Sequence, residues 1–323
     1  MRYLCLCLCL LITLPSNAEQ TTSFYHYVKQ LRVDAQARGI SDSTVKAALE
    51  QVKLFKRAIH HNKVNQQKHQ TLDTYLPAKV PGWKIAKARQ LYKQNLPLLK
   101  QISKQYDIAP RYLIAIWGME TNFSQNISNY PALSVLVSLA YSEPANTNYR
   151  EQIYAVLKAV DQKPNHLSNF KSDWSGKLGM LNFSAVDYLN NGQDFDQDGF
   201  SDIWQSKPDT FSSLAKFLTD NGWNNDLTWG RQVKLPDDFD SSLIGLASQK
   251  SLQQWQELGV RRFNGKNLPS VALKASLVAP DGINGRIFLA YDNYNVLLKW
   301  QDSQYFVSAV GYLADRIKFP AIK

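Results

Sequence analysis

Arg111-Tyr-Leu-Ile-Ala-Ile-Trp-Gly-Met-Glu120 decides the fold class. On a helix, these residues place apolar side chains nearly all round, so no broad face is left for water. Such a helix is stable only when other elements cover it, which makes it the centre of a helical core. Pro110 stands just before it, where a missing N–H costs little and a fixed φ suits the first turn. Ile116 and Trp117 lie four and three residues before Glu120, on the same helical face. A carboxyl against them loses water, which disfavours its charged form and raises its pKa. Two roles fit such a glutamate: a paired structural group, or a proton donor at neutral pH.

The flanking chain supplies helices to cover it. Phe24 to Ala35 and Asp42 to Ala58 carry apolar residues at three- and four-residue spacing, with Asp42 as the expected cap of the second. Trp83 to Lys104 reads as one long amphipathic helix. Between them, His60 to Asp73 is polar with little periodicity, and the spacing of His60, His61 and His69 fits no familiar metal site. Pro131 to Trp223 reads as helices joined by loops, one of them near Thr210 to Asn221. Gln232–Leu235, Val271–Val278 and Gly285–Tyr291 are short β-branched and aromatic runs separated by Pro, Gly and Asp, which predicts strands. Ser303 to Ile317 returns to helix. The expected class is mainly α, of the α+β kind. Its parts are a helical N-terminal region over 19–105, a helical core over 106–225, a small β-rich domain over 226–290, and a segment over 291–323 that rejoins the core.

The loop Asp194-Phe-Asp-Gln-Asp-Gly-Phe-Ser-Asp-Ile-Trp204 is the second informative stretch. Asp194, Asp196, Asp198 and Asp202 fall on positions one, three, five and nine of an EF-hand-like calcium loop. Gly199 falls on the sharp turn at position six, and Phe200 on position seven, where a backbone carbonyl suffices. Hard cations want several oxygens converging on one point, and alternating aspartates supply them. A solvated acidic turn is the other reading. Position twelve of the loop 194–205 is Gln205 rather than a carboxylate, which predicts weak calcium binding through Asp194, Asp196, Asp198, Phe200, Asp202 and Gln205.

Met1-Arg-Tyr-Leu-Cys-Leu-Cys-Leu-Cys-Leu-Leu-Ile-Thr-Leu14 followed by Pro15-Ser-Asn-Ala18 reads as a cleavable secretory signal, residues 1–18, too short to anchor in a membrane. All three cysteines lie in it, so the mature chain would have neither a disulfide framework nor a thiol nucleophile. None is preceded by the small residues of a bacterial lipoprotein site. The formal net charge is +10, and loss of Arg2 with the leader lowers it by one. A basic exported protein suits an anionic polymer or surface, although charge also serves solubility. Export argues against nucleic acid. The expectation is a soluble periplasmic monomer with no transmembrane segment.

Tyr106-Asp-Ile-Ala-Pro110 through Ala115-Ile-Trp-Gly-Met-Glu-Thr-Asn-Phe123 resembles the catalytic helix of the lytic murein transglycosylase B family. The acidic loop ending in Ile203-Trp204 resembles that family's calcium loop. Leu258-Gly-Val-Arg261, Leu277-Val-Ala-Pro-Asp-Gly-Ile-Asn-Gly285, Phe288-Leu-Ala-Tyr-Asp-Asn-Tyr294 and the run from Tyr305 to Ile317 resemble its closing part. The resemblance runs from about residue 24 to the end, with the motifs in the family's order. It implies a lysozyme-like helical core and cleavage of the β-1,4 bond between N-acetylmuramic acid and N-acetylglucosamine in peptidoglycan. It implies that the muramic acid's own six-hydroxyl attacks the anomeric carbon, leaving a 1,6-anhydro end. Glu120 then serves first as acid and then as base. The sequence agrees in one respect: no acid follows Glu120 until Glu143, unlike the usual pair of carboxylates.

Departures from the family pattern are equally specific. The family's groove strip carries Gln-Phe-Met-Pro-Ser; here the strip reads Trp174-Ser-Gly-Lys-Leu-Gly-Met-Leu-Asn-Phe-Ser-Ala-Val-Asp-Tyr188. Asn182 stands for the glutamine, Ala185 for the proline and Val186 for the serine. The family's Tyr-Asn-x-Ser run is Trp300-Gln-Asp-Ser303, so Gln301 stands for the active-site asparagine. The resemblance makes Trp174, Ser175, Asn182, Tyr188 and Gln301 candidate substrate contacts, with Tyr188 and Trp174 the expected stacking aromatics. The implied partners are peptidoglycan strands and cell-wall synthesis proteins, with no organic cofactor. The alternative is a paralogue of the same fold that binds the wall with weak or no catalysis.

Overall fold

The helix Pro110–Thr121 is buried along almost its whole length, from Tyr112 to Gly118 and again at Thr121. The computed structural model describes residues 23–64, 70–127 and 129–318; the leader reading and His69 lie outside the described residues. The helix Gln304–Lys318 packs along the central helix, and Gly118 marks the close approach. A Cβ at Gly118 would stand 2.6 Å from the Phe123 ring and 3.3 Å from Leu313. Helices Gly82–Gln94 and Leu96–Tyr106 cover another side. One hydrophobic core runs from Val28 through the central helix to Ala314.

The region expected as one helix over Trp83–Lys104 is two. Pro97 sits in the first turn of the second. Its ring clashes with the carbonyl four residues back and it offers no N–H, so the helix cannot continue through it. The expected helix Asp42–Ala58 also breaks, into Asp42–Glu50 and Lys56–Val64. In the gap, the backbone N–H groups of Lys53 and Phe55 donate to the Ser134 and Ser138 hydroxyls at 3.2 and 2.7 Å. Ser41, not Asp42, caps the helix, its hydroxyl accepting from Thr44 N. The first two helices dock on the helix Thr147–Gln162 through Arg38, which pairs with Glu151 at 3.0 Å and lies 3.9 Å over the Tyr154 ring.

Two short strands, β1 (Tyr130–Pro131) and β2 (Lys171–Ser172), pair antiparallel beside the helix Ala132–Ser142. Five more form one antiparallel sheet: β3 (Gly230–Lys234), β4 (Gln249–Ser251), β5 (Arg261–Arg262), β6 (Lys274–Val278) and β7 (Ile287–Ala290). Their spatial order is β4-β6-β7-β3-β5. The short β4 and β5 and the helix Leu252–Glu257 were not expected from the sequence. Strand alternation gives the sheet two apolar faces. Ile287 and Leu289 join Val233, Leu277 and Trp255 in a separate small core, while Phe288 and Ala290 join the main core. Trp229 carries the sheet onto the C-terminal helix, and a Cβ at Gly311 would stand 2.1 Å from its ring.

Candidate active site

Glu120 lies in the last turn of the central helix, and the chain beyond it turns sharply. Asn122, Phe123 and Ser124 have φ of 53, 59 and 67°, three consecutive left-handed non-glycine residues. Each costs roughly 1–3 kcal/mol and needs surrounding contacts to hold it. Those contacts are present: the Ser124 hydroxyl accepts from Trp117 Nε1 at 2.7 Å, and Ser124 N donates to Thr121 Oγ1 at 3.0 Å. The Thr121 hydroxyl in turn donates to the Met180 carbonyl at 2.6 Å, tying the helix end to the groove strip.

The strip folds as a tight hairpin. Leu178 and Phe183 exchange backbone hydrogen bonds, both 2.8 Å. The turn between them needs left-handed backbone at Gly179 and Asn182, with φ of 68 and 52°. Asparagine tolerates that region better than most side chains. A Cβ at Gly179 would stand 2.5 Å from the Ile203 carbonyl, so only glycine fits there. The turn brings the Asn182 amide onto Glu120, where Nδ2 donates to Oε2 and to the backbone carbonyl, both at 3.2 Å.

The other oxygen of Glu120 has a different partner. Trp300 Nε1 donates to Oε1 at 2.7 Å. Trp300 ends the helix Asp292–Trp300, and its ring is held edge-on by Phe183 at 4.9 Å and Phe217 at 5.0 Å. Protein surrounds the carboxyl, yet Glu120 keeps part of its surface open. Burial pushes the Glu120 carboxyl up to about 7, against the pull of the Trp300 and Asn182 hydrogen bonds and the Lys177 charge. The Asp173 charge adds to the rise. Asp173 is tied to its own loop through Oδ1, which accepts from Ser175 N, Ser175 Oγ and Lys177 N at 2.8, 2.8 and 2.9 Å.

A third wall comes from the N-terminal half. The helix Leu72–Lys79 places Tyr75 within reach of the Glu120 charge, and its ring meets Tyr305 edge-on at 5.4 Å. Asp281 holds that helix in place. It accepts from Leu72 N at 2.8 Å and from the Tyr305 hydroxyl, while Arg286 pairs with Asp73 at 2.7 Å.

The expected contacts divide. Asn182 touches Glu120. Trp174 is half-buried, facing His61 at 5.8 Å, and Ser175 caps its own turn. One expectation is corrected. Tyr188 is 6% exposed, packs on Phe170 and Trp204, and donates its hydroxyl to the Ser201 carbonyl at 3.0 Å. It is core and cannot stack on a sugar. Gln301 is exposed and directly follows Trp300, the residue that makes the contact with Glu120. Trp300, Lys177, Asp173 and Tyr75 were missed. Trp300 alone had a signal, as an indole where the family pattern has a phenol.

The acidic loop is also rearranged. Carboxylate oxygens of Asp194, Asp196, Asp198 and Asp209 lie within 4.8 Å of one another. Asp209, in the first turn of the helix Lys207–Asp220, is buried and accepts from Phe195 N at 2.7 Å and Asp202 N at 2.9 Å. One expected carboxylate, Asp202, stands apart from the cluster. Asp202 Oδ1 accepts from Trp204 N and Gln205 N, both at 2.9 Å, so its carboxyl caps a turn. Gln205 is exposed. The Phe200 carbonyl accepts from Asp202 N at 2.9 Å, and its ring stacks on His166 at 4.0 Å. The periodic spacing was legible; the closing carboxylate, beyond the loop's expected end, was not.

A family model for the transglycosylase SLT domain matches residues 23–315. The chain belongs to this family. Membrane-bound lytic murein transglycosylase B of Escherichia coli (strain K12) is 22% identical over 241 residues, covering 72% of this chain and 63% of that protein. The aligned part is thus a little under two thirds of that relative's length. The crystal structure of SltB3 from Pseudomonas aeruginosa in complex with NAG-anhNAM-pentapeptide superimposes with a TM-score of 0.85 at 30% identity, over 92% of this chain and 80% of SltB3. The complex of SltB3 with NAG-NAM-pentapeptide gives 0.86. The Escherichia coli lytic transglycosylase SLT35, solved in complex with calcium, has a TM-score of 0.77 at 18% identity and shares the fold. The transglycosylase SLT domain here therefore comprises nearly all the described residues, β-rich part included.

Proposed function

We propose that this chain is a lytic transglycosylase acting on peptidoglycan, with Glu120 as its acid and base. The observation that carries the reading is one carboxyl, shared between two N–H donors and raised to about 7, at the end of the central helix. Near neutral pH both its protonation states are populated, which suits a group that must give a proton and then take one. In the first step Glu120 protonates the glycosidic oxygen, and the bond from that oxygen to the muramic acid's anomeric carbon breaks. In the second, the six-hydroxyl of the same sugar bonds to that carbon and returns its proton to Glu120. No water is consumed, and the product end is 1,6-anhydromuramic acid. The engagement of Asp173 by its own loop favours this route over one with a second carboxylate acting on water. SltB3 is solved with NAG-NAM-pentapeptide and with NAG-anhNAM-pentapeptide, and the second carries an anhydro end of the kind such a reaction leaves.

Digestion of purified sacculi tests the reading. Muropeptides with anhydro ends are expected, and Glu120→Gln should abolish them while keeping the fold and wall binding. Products with free reducing ends would overturn it in favour of hydrolysis. Binding without release would favour the non-catalytic paralogue.

The chemistry of the donor set at Asp194, Asp196, Asp198 and Asp209 fits a hard divalent cation, and calcium is the proposed occupant. Its task is structural: neutralising four converging carboxylates and fixing the segment that carries Ile203 against the groove hairpin. Export to the periplasm on the leader at 1–18 completes the reading. Among the described residues, no helix is long and apolar enough to cross a membrane.

A further inference from the structure

We propose that Trp300 is a positioning residue of this site: its indole N–H keeps Oε1 of Glu120 an acceptor and confines proton transfer to Oε2. The chemical role rests on the function proposed above; the hydrogen bond does not. An indole N–H donates and never accepts. At 2.7 Å it is the shorter of the two bonds to the carboxyl, and a proton placed on Oε1 would turn its acceptor into the weaker hydroxyl oxygen, so the proton is favoured on Oε2. Oε2 is contacted by the Asn182 amide at the longer distance of 3.2 Å, and that amide is shared with the Glu120 carbonyl. A carboxyl oxygen can accept one such bond and still carry a proton on its other side. The asymmetry is durable because Trp300 is 7% exposed and wedged between Phe183 and Phe217. Phe183 directly follows Asn182, so the two donors are braced against each other. The tyrosine of the family pattern could donate or accept through its hydroxyl; the tryptophan here removes that choice.

The test is Trp300→Phe, with 3-benzothienylalanine placed at position 300 as a second variant. The latter keeps the bicyclic shape and replaces only the N–H. The Glu120 carboxyl is titrated by carbon-13 NMR of glutamate-labelled protein, with Glu120→Gln identifying its resonance. The N–H stabilises the charged form, so its loss should move the Glu120 midpoint upward by about one pH unit or more in both variants. The alkaline limb of the pH profile for anhydro-muropeptide release should move up with it, because that limb reports loss of the acid's proton. A merely structural role would lower activity at every pH and leave the midpoint in place. An unmoved or lowered midpoint in the benzothienyl variant overturns the proposal. If the midpoint rises but the wild-type protein yields no anhydro product, the tie stands and the proposed reaction falls. If the wild-type protein releases anhydro product but the midpoint stays in place, the reaction stands and the tie falls.

Discussion

At the scale of the residue, Glu120 shows how burial serves reactivity at the expense of stability. Its pKa is raised from 4.5 to about 7, first of all by burial. In the unfolded chain it ionises near the ordinary value, so the folded state binds the extra proton between those limits. Stability from this group is therefore fully present below about pH 4.5 and is lost as pH rises through about 7. The loss is of order 3 kcal/mol. Glu120→Gln removes this titration. Its stability relative to wild type should grow by up to that amount between pH 5 and pH 8, as read by urea melts at each pH. A constant difference across that range would show that the carboxyl is not held neutral. The apolar face behind this shift was legible at Ile116 and Trp117, which precede Glu120 by a single turn. Its donors were harder to find, because Asn182 and Trp300 reach it only through the tertiary fold. The exposed position of Gln301 also fixes an expectation about the two exchanged amides. Asn182→Gln adds a carbon–carbon bond, about 1.5 Å, to a contact now at 3.2 Å, and should lower activity tenfold or more. Gln301→Asn should change it less than about twofold. Recovery of activity in the double variant would reveal a coupling that the geometry does not contain.

At the scale of the element, the acidic loop and the broken helices follow one rule: local pattern sets the element, and distant partners set where it ends. Alternating aspartates and Gly199 were enough to read a cation loop. The carboxylate that closes the cluster belongs to the next helix, and no loop spacing points to Asp209. The helix from Asp42 likewise has the right periodicity to continue. It stops because Ser134 and Ser138, on a helix some eighty residues later, take up its backbone N–H groups. The break at Pro97 was visible in the sequence itself. The calcium reading yields a sharp contrast between variants. Calcium should raise the melting temperature of the metal-free protein by mass action. Asp198→Asn keeps an oxygen for the Phe200 N–H, now bonded at 2.9 Å, but removes a charge from the cluster. It should lose most of the calcium-induced rise while melting normally in chelator. Gln205→Glu should leave the calcium response nearly unchanged, since Asp209 already supplies the closing carboxylate and Gln205 is exposed. A marked increase with Gln205→Glu would restore the shorter loop as the binding unit.

At the scale of the whole molecule, residues far apart in sequence converge on Glu120. The class of the fold was legible, since the buried helix and the β-branched runs each declared themselves. The sheet's strand order was not, because β4 and β5 are three and two residues long and too brief to pattern. Nor was the single core that joins Val28 to Ala314, since periodicity shows that a face is buried and not what buries it. Polar groups tie the N-terminal helices to the β-rich part at one joint. Asp281 is its centre: it accepts the first helical N–H of Leu72–Lys79 and the Tyr305 hydroxyl, with the Arg286–Asp73 pair alongside. That ion pair is largely exposed on the Asp73 side, where water and salt weaken it, so Asp281 should dominate. Asp281→Ala leaves Leu72 N and the Tyr305 hydroxyl without their acceptor. Hydrogen exchange should then speed up roughly tenfold or more across residues 72–79, which carry Tyr75 to the groove. The central helix, covered on every side, should exchange as in the wild type. Equal acceleration in both helices would mean that Asp281 supports global stability rather than this joint, and unchanged protection at 72–79 would mean that packing alone seats the helix.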